Sequence, residues 1–452
     1  MQMMKRPAAL AVVALGGGVA AGSSVHSDQW WCGPLGLLCI ALAFAEARGA
    51  TSAAFVGWTG GAAYFASSLS FLLTGYASIG MTGLQPTIGV AALYLLLSMW
   101  WPVAFAAAYR LQAGPLTLTC LWIGAEALRS QVFPAIPVAQ FAAIWSQTPI
   151  VQLTGILSVE VLGAMTLGAC VATAFLLVKH RYRAACLMFL APATLAALVG
   201  ESIEMTPMPM PEMPAIATID TAIRQDQRWA DEALPAYVAD VTSRTKAAFD
   251  AGADLVIWPE ASIPFFPDEL KDEIWEARPP TGAFLALGMM VPIKSDPGRF
   301  WNSFVVLDSN LNEVARYDKN HLFPFGEYIP FATELERWFG ITTIAAETNA
   351  IAQGRSEPLM VLPGLPGAIV PQICYEGSFA LPDAAREAQG AYVVNISNDA
   401  WWLGSKGAWF AEQEARLRAI EAGLPLVRVP NMREAATFSA RGERMPAGPG
   451  GS

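Results

Sequence analysis

The chain is 452 residues long, 54% hydrophobic and 15% charged, with a mean hydropathy of +0.39, too apolar for a single soluble globular protein. Its net charge of −10 is shared unevenly: residues 1–200 carry eight of the 28 Lys/Arg and four of the 38 Asp/Glu, leaving 20 basic and 34 acidic residues, a net −14, to residues 201–452. That acidic part holds no basic patch of the kind nucleic acid needs, so no nucleic-acid partner is expected.

In chain order, apolar stretches run roughly over residues 8–22, 31–46, 51–75, 86–109, 115–128, 150–178 and 184–200. Several approach the ~20 residues that cross a ~30 Å hydrocarbon core, 31–46 and 115–128 being the shortest. Taken as about seven spans with the N-terminus inside, they put Lys5, Arg6, Arg48, Arg110, Lys179, Arg181 and Arg183 on the cytoplasmic side and Arg129 alone outside. This is the asymmetry of the positive-inside rule. An odd number of spans then leaves everything after residue 200 outside the cytoplasm. The first stretch also reads as a signal peptide, with Lys5 and Arg6 as its basic region and small residues near Ala21 as a cleavage site, without changing that side. Glu126 and Arg129 are three residues apart and can pair on one helix face. Glu160 lies in or near a span, where an unpaired carboxylate is costly. Ser130–Gln147, interrupted by Pro134 and Pro137 and carrying Trp145, is too broken for a span and reads as re-entrant or interfacial.

Residues 204–214, EMTPMPMPEMP, can form neither helix nor central strand and read as a tether. The expected organisation is a transmembrane helical domain over 1–203, that tether, an α/β domain over 215–440 and a disordered Gly/Pro-rich tail over 441–452. The α/β reading rests on short apolar strands at Ala215–Ile219, Asp254–Trp258, Ala283–Met290, Ser303–Asp308, Ala368–Ile373 and Tyr392–Ile396. Amphipathic or charged helices interleave with them at about 226–250 and 407–422.

Three segments end a predicted strand with a reactive residue: Asp254-Leu-Val-Ile-Trp-Pro-Glu260, Ala315-Arg-Tyr-Asp-Lys319 and Ile369-Val-Pro-Gln-Ile-Cys374-Tyr-Glu376. Strand ends are where a rigid sheet aims functional groups into a crevice. Five of the six cysteines lie in the apolar part, so Cys374 has no disulfide partner within the soluble part. No Cys/His spacing marks a metal site, and no cofactor is expected. A thiol, a carboxylate and an amine suffice for acyl transfer: Glu260 takes the thiol proton, and Lys319 stabilises the thiolate and the oxyanion. Singly, each of these residue types is as well explained as core filler or surface charge. In NISNDAWW, Asn395 and Asn398 end a strand and Asp399 can bond the following turn, while Trp401 and Trp402 stack near a pocket or touch lipid. Phe265-Phe266 and Trp338-Phe339 read either as interfacial lids or as ordinary core.

The strings VIWPEA, YDKNHLFPFGEYIPF, ICYE and NISNDAWW, in this order, resemble the nitrilase, or carbon-nitrogen hydrolase, superfamily. More narrowly they resemble the apolipoprotein N-acyltransferases, and GAEALRSQVFPAIPVAQFAAIWSQTP in the apolar half is similar to a segment of that family. The resemblance implies a nitrilase-like α-β-β-α sandwich on the periplasmic side of the bacterial inner membrane, joined to a membrane α-helical bundle. It implies Glu260 as general base, Lys319 as the oxyanion-stabilising lysine and Cys374 as nucleophile. Glu327 is implied to orient the lysine, and Tyr375 and Glu376 to line the same pocket. As bland alternatives, Glu327 caps a turn after Gly326 and Glu376 forms a salt bridge. The implied reaction moves an acyl chain from a phospholipid donor, through a Cys374 thioester, to the N-terminal amine of a lipoprotein precursor or another amine. The sequence departs from the family at Asn431-Met432-Arg433-Glu434, where an Asn-Thr-Gly or Asn-Asn-Gly turn is usual, and around Trp409-Phe410-Ala411, where a Gln-His pair is usual. The family's further strands and last transmembrane helix are also expected to be missing after Met445. On these departures the chain also fits the TraB-type proteins of conjugal transfer, acting on another substrate, and a membrane assembly factor with a relic site is a third alternative.

Overall fold

Long runs of Leu, Ala and Gly without charge leave the backbone to bond to itself, and most of the first two hundred residues do so as helices. The computed structural model describes residues 2–25, 27–78, 82–206, 208, 211–221, 234–263, 271–324, 326–328, 337 and 350–446. The chain forms two compact units, Met1–Pro207 with Gly404–Glu421, and Met208–Leu403 with Ala422–Ser452.

The first unit contains α1 (Gln2–Ser24), α2 (Cys32–Ala45), α3 (Ala50–Ser68), α4 (Phe71–Ser78), α5 (Leu84–Ser98), α6 (Trp100–Arg110), α7 (Pro115–Ala127), α8 (Thr154–Leu157), α9 (Val159–Val178) and α10 (Tyr182–Glu204). Among the described residues, three helical stretches are long and apolar enough to cross a membrane: Pro86–Arg110, Val159–Val178 and Tyr182–Glu204. Ala8–Ser24 and Cys32–Ala45 are shorter apolar helices. Two of the expected apolar stretches are broken. The one at 51–75 divides between α3 and α4, and the one at 150–178 divides at Ser158, whose φ is 81°. The Ser158 hydroxyl accepts a hydrogen bond from Val161 N at 3.4 Å and so caps α9 at a point that hydropathy alone runs through. Helices α1 and α3 approach closely because Gly18 faces Gly60, and a Cβ at Gly18 would collide with the Gly60 carbonyl oxygen.

The Glu126–Arg129 pair forms: Arg129 Nη2 and Nε lie 2.8 and 3.1 Å from Glu126 Oε2, and Trp101 Nε1 donates to Oε1 at 2.6 Å. The broken segment after it folds as single turns: Leu128–Val132, with Arg129 and Ser130 buried but Leu128 and Val132 exposed, and Phe141–Trp145, buried throughout. The helix read at 407–422 is present as Gly407–Ala422, and its charges are satisfied inside this unit. Arg418 lies 2.7 Å from Glu421 and 3.3 Å from Glu160, and it donates to Gln140 Oε1 at 2.9 Å. Glu160 is thus paired.

The second unit is built on two sheets. The first orders β1 (Ile216–Thr218), β2 (Leu255–Ile257), β3 (Phe284–Pro292), β4 (Phe300–Leu307) and β5 (Glu313–Asp318), with β6 (Ile351–Ala352) paired to β4. The second orders β7 (Ile369–Ile373), β8 (Tyr392–Ser397), β9 (Leu426–Pro430), β10 (Ala436–Phe438) and β11 (Arg444–Met445). The two share one plan: three parallel strands followed by an antiparallel meander. Period-two alternation gives the central strands β2, β3 and β4 of the first sheet two buried faces. Leu255, Ile257, Ala286 and Phe304 meet Ile373, Val394, Ile396 and Val427 of the second sheet, and Val256, Leu285 and Leu287 meet Val241 and Phe249 of helix α11 (Leu234–Asp250). The expected helix at 226–250 is described only from Leu234 onward. Strands β9 to β11 have no counterpart in the sequence reading, because Arg428 and the flanking prolines interrupt the apolar run that marks a strand.

Candidate active site

The reactive residues sit at the carboxyl ends of strands from both sheets. Glu260 follows β2 on a turn that passes through Ala261 at φ 42°. Neighbouring β3 comes so near this turn that a Cβ on Gly288 would lie 2.6 Å from Glu260 Cα and Pro259 O, so only glycine fits there. Lys319 directly follows β5, and Cys374 directly follows β7 with φ of 55°, left-handed backbone that a Cβ disfavours. An L-residue held in this region at a strand end is the geometry of a nucleophile turned out of its sheet.

The structure brings Glu260, Lys319, Glu327 and Cys374 together. Lys319 Nζ lies 2.8 Å from Glu327 Oε1 and 3.7 Å from Glu260 Oε1, with only 1% of the residue exposed. Burial opposes its charge, but Glu327, Glu260 and Cys374 outweigh that and hold the ammonium above the ordinary lysine range. Asn302 on β4 donates through Nδ2 to Glu260 Oε1 at 2.8 Å and to Glu327 Oε1 at 3.3 Å, bridging the two carboxylates. The remaining oxygens are also held: Glu260 Oε2 accepts from Asn398 N at 2.8 Å, and Glu327 Oε2 from Phe323 N at 2.7 Å. The Cys374 thiol is pushed up to about 12 by burial and by Glu260, against the opposing pull of Lys319. It is therefore a thiol at neutral pH and needs a base at the moment of attack.

Glu376 occupies a different position from Glu327. Its hydrogen bonds go to Tyr317 OH (2.9 Å), Asn320 N (2.8 Å), His321 N (2.9 Å) and Ile373 N (2.8 Å). It thereby ties the turn that carries Cys374 to the strand end that carries Lys319. Burial pushes its carboxyl up to about 7, with Lys319 and the surrounding donors pulling the other way. Tyr375 packs edge-on against Phe323 and Phe379, each at 5.1 Å, and His321 stacks on Phe379 at 4.1 Å, forming an aromatic wall. Asn395 Nδ2 donates to Cys374 O at 3.2 Å.

Asp399 does not serve only its own turn. It is 1% exposed and receives both Arg428 terminal nitrogens at 2.9 Å, as well as the Ser397 hydroxyl at 2.8 Å. A buried carboxylate takes a fixed cation before it takes a local turn. The altered turn after β9 is held too: Asn431 Nδ2 donates to Asn398 Oδ1 at 3.0 Å, and Met432 N to Asp220 Oδ1 at 2.9 Å. Asn302 and Tyr317 escaped the sequence reading. The one signal for Asn302 was a polar residue inside an apolar strand, FWNSFVVL, where a buried amide needs partners. The aromatic pairs Phe265-Phe266 and Trp338-Phe339 lie outside the described residues. A thiol, two carboxylates and a buried ammonium in contact form a set that can carry nucleophilic acyl transfer.

Residues 195–451, more than half of the chain, match the carbon-nitrogen hydrolase family model. The chain belongs to the carbon-nitrogen hydrolase family. Residues 16–172 match the model of the apolipoprotein N-acyltransferase N-terminal domain. The apolipoprotein N-acyltransferase of Rhizobium meliloti (strain 1021) is 33% identical over 247 residues, 52% of this chain and 46% of that one. That of Vibrio vulnificus (strain CMCP6) is 26% identical over 464 residues, 97% of this chain and 88% of that one. At identities above 30% the chain spans about half the length of the curated relatives it matches. Among solved structures, an amidase from Nesterenkonia sp. is similar at 17% identity over 54% of this chain and 89% of that one, with a TM-score of 0.36. The resemblance read from VIWPEA, YDKNHLFPFGEYIPF and ICYE is borne out at the level of family.

Proposed function

We propose that the chain is a membrane-bound N-acyltransferase that moves a fatty acyl group from a phospholipid to the N-terminal amine of an apolipoprotein through a Cys374 thioester. One observation carries the chemistry: a lone thiol on a left-handed turn faces a buried Lys319 that is ion-paired to Glu327 and Glu260. The curated relatives named for this reaction support the substrates.

In the first half-reaction Cys374 Sγ attacks the ester carbonyl while Glu260 takes the thiol proton. The developing oxyanion is stabilised by the Lys319 ammonium, which Glu327 keeps charged and aimed. Collapse of the tetrahedral intermediate breaks the ester C–O bond, and Glu260 returns its proton to the departing lysophospholipid oxygen. In the second half-reaction the amine attacks the thioester, Glu260 takes a proton from nitrogen, and Cys374 leaves and is reprotonated. Tyr375 and Glu376 shape and brace the pocket. The basic residues Arg48, Arg110, Lys179, Arg181 and Arg183 support a multi-pass inner-membrane protein of about seven spans, with this site on the periplasmic side.

Intact mass of the full chain after incubation with phospholipid in detergent tests the reading. One acyl chain should be added, be released by neutral hydroxylamine as a thioester is, and transfer to a diacylated lipopeptide. The Cys374→Ala variant should show neither adduct nor transfer; an equal adduct on that variant would overturn the mechanism.

A further inference from the structure

Strands β7 and β8 run parallel with Ile373 opposite Ile396, so Cys374 and Ser397 are the next residues along two neighbouring strands. The register sets Ser397 beside the turn that carries Cys374, and its hydroxyl favours the charged form of the Cys374 sulfur. That hydroxyl also donates to Asp399 Oδ1 at 2.8 Å, and Ser397 is 1% exposed. Asp399 in turn is clamped by Arg428 of β9, Nη1 to Oδ2 and Nη2 to Oδ1, both at 2.9 Å, and all three side chains are buried. A serine hydroxyl has a single proton to give. Here two acceptors flank it, a carboxylate already occupied by a bidentate guanidinium and, on the neighbouring strand end, a sulfur that becomes charged during the reaction.

We propose that Ser397 is a further catalytic residue, whose hydroxyl turns from Asp399 to donate to the Cys374 sulfur whenever that sulfur is a thiolate. Resting on the acyltransferase reading, this gives Ser397 a part in both half-reactions. When Glu260 removes the thiol proton, the hydroxyl swings to the new negative charge. When the sulfur–carbon bond forms, it swings back to Asp399, because a thioester sulfur is a poor acceptor. When the amine attack expels the thiolate, it swings to sulfur again. No proton changes owner at Ser397; only the direction of its O–H changes. Asp399 and Arg428 are positioning residues: the ion pair fixes the carboxylate that parks the hydroxyl, and it lowers that carboxylate's claim on the proton.

The charged and titratable groups facing the Cys374 sulfur are Glu260 at the end of β2, Lys319 at the end of β5 and Glu327 in the loop after it. All three remain in place when Ser397 alone is changed. The test is therefore the pH dependence of Cys374 alkylation by iodoacetamide, read by peptide mass in the full chain in detergent, for wild type, Ser397→Ala and Ser397→Thr. A hydrogen bond to an ionised group moves a titration by about one pH unit or more. Ser397→Ala should therefore shift the profile upward by about one unit and slow alkylation about tenfold below it, while Ser397→Thr, which keeps the hydroxyl, should follow wild type. Equal profiles for wild type and Ser397→Ala, or equal shifts for Ala and Thr, would overturn the proposal. An unchanged Ala profile with acyl transfer intact discards the Ser397 role and leaves the acyltransferase reading standing. A shifted, Thr-rescued profile in a protein that transfers no acyl chain supports the Ser397 role and discards that reading.

Discussion

The two sheets of the second unit share a strand plan but hold different chemistry. The first ends in the charged set, Glu260 after β2 and Lys319 after β5, with Asn302 on β4 joining Glu260 to Glu327. The second ends in neutral groups, the Cys374 thiol after β7 and the Ser397 hydroxyl at the end of β8, backed by the Asp399–Arg428 pair. Neither half holds both the proposed nucleophile, Cys374, and the proposed base, Glu260. The site exists only where the sheets pack face to face, through Ile257, Phe304, Ile373 and Ile396 among others, so core packing and catalytic geometry depend on the same contacts. Among the described residues, hydrogen bonds cross between the halves from Asn398 N to Glu260 Oε2, from Tyr317, Asn320 and His321 to Glu376, and from Met432 N to Asp220 Oδ1.

The largest loss of activity is expected on the first sheet. Glu260→Gln keeps the shape but removes the base and turns an NH2 toward one of the donors that hold the carboxylate; it should lower kcat by about 10²–10⁴-fold, measured with a lipopeptide acceptor. Damage to the second sheet's ion pair should have the opposite signature. Arg428→Met leaves Asp399 buried without its guanidinium and should cost about 3–5 kcal/mol in denaturant unfolding. A small loss there would mean that the pair is not the anchor of that sheet's edge. Gly288→Ala pushes a methyl group into the backbone that carries Glu260, an overpacking of about 1–3 kcal/mol. Its loss of activity should exceed its loss of stability, because the displaced atoms belong to the base.

The smallest effect concerns Glu376. Its carboxyl rises from 4.5 to about 7 on folding, chiefly through burial. A folded value above the unfolded one means that the associated stability is fully present below pH 4.5 and is lost as pH rises through about 7. Wild type should therefore lose more melting temperature than Glu376→Gln between pH 5 and pH 8. Parallel melting curves would show that the surrounding donors, rather than burial, govern this group.

The strands that carry Glu260 and Cys374 were legible because each is a short apolar run that stops at a charged or reactive residue, whereas β5, EVARYD, was marked only by the motif string around Lys319. The residues that hold them were not. Asn302 lies 42 positions from Glu260, Asn398 lies 138 positions away, and Tyr317 lies 59 positions from Glu376. No local period links such pairs. The company of the charged helix after β8 was equally hidden: Arg418 and Glu421 look like surface charges in the sequence, yet they are buried against Glu160 and the Val159 amide.

Composition, charge placement and the motif strings determined the apolar helical half, the α/β half and the reactive residue types, because hydropathy, periodicity and side-chain chemistry are written residue by residue. Only the tertiary structure decided what each carboxylate does. Glu327 and Glu376 both follow a reactive residue in a short motif, yet Glu327 reaches the Lys319 ammonium while Glu376 turns to Tyr317 and three backbone amides. A side chain's partner depends on the direction its turn gives it and on what the opposite sheet brings within about 3 Å. Neither is fixed until the two sheets have closed on each other.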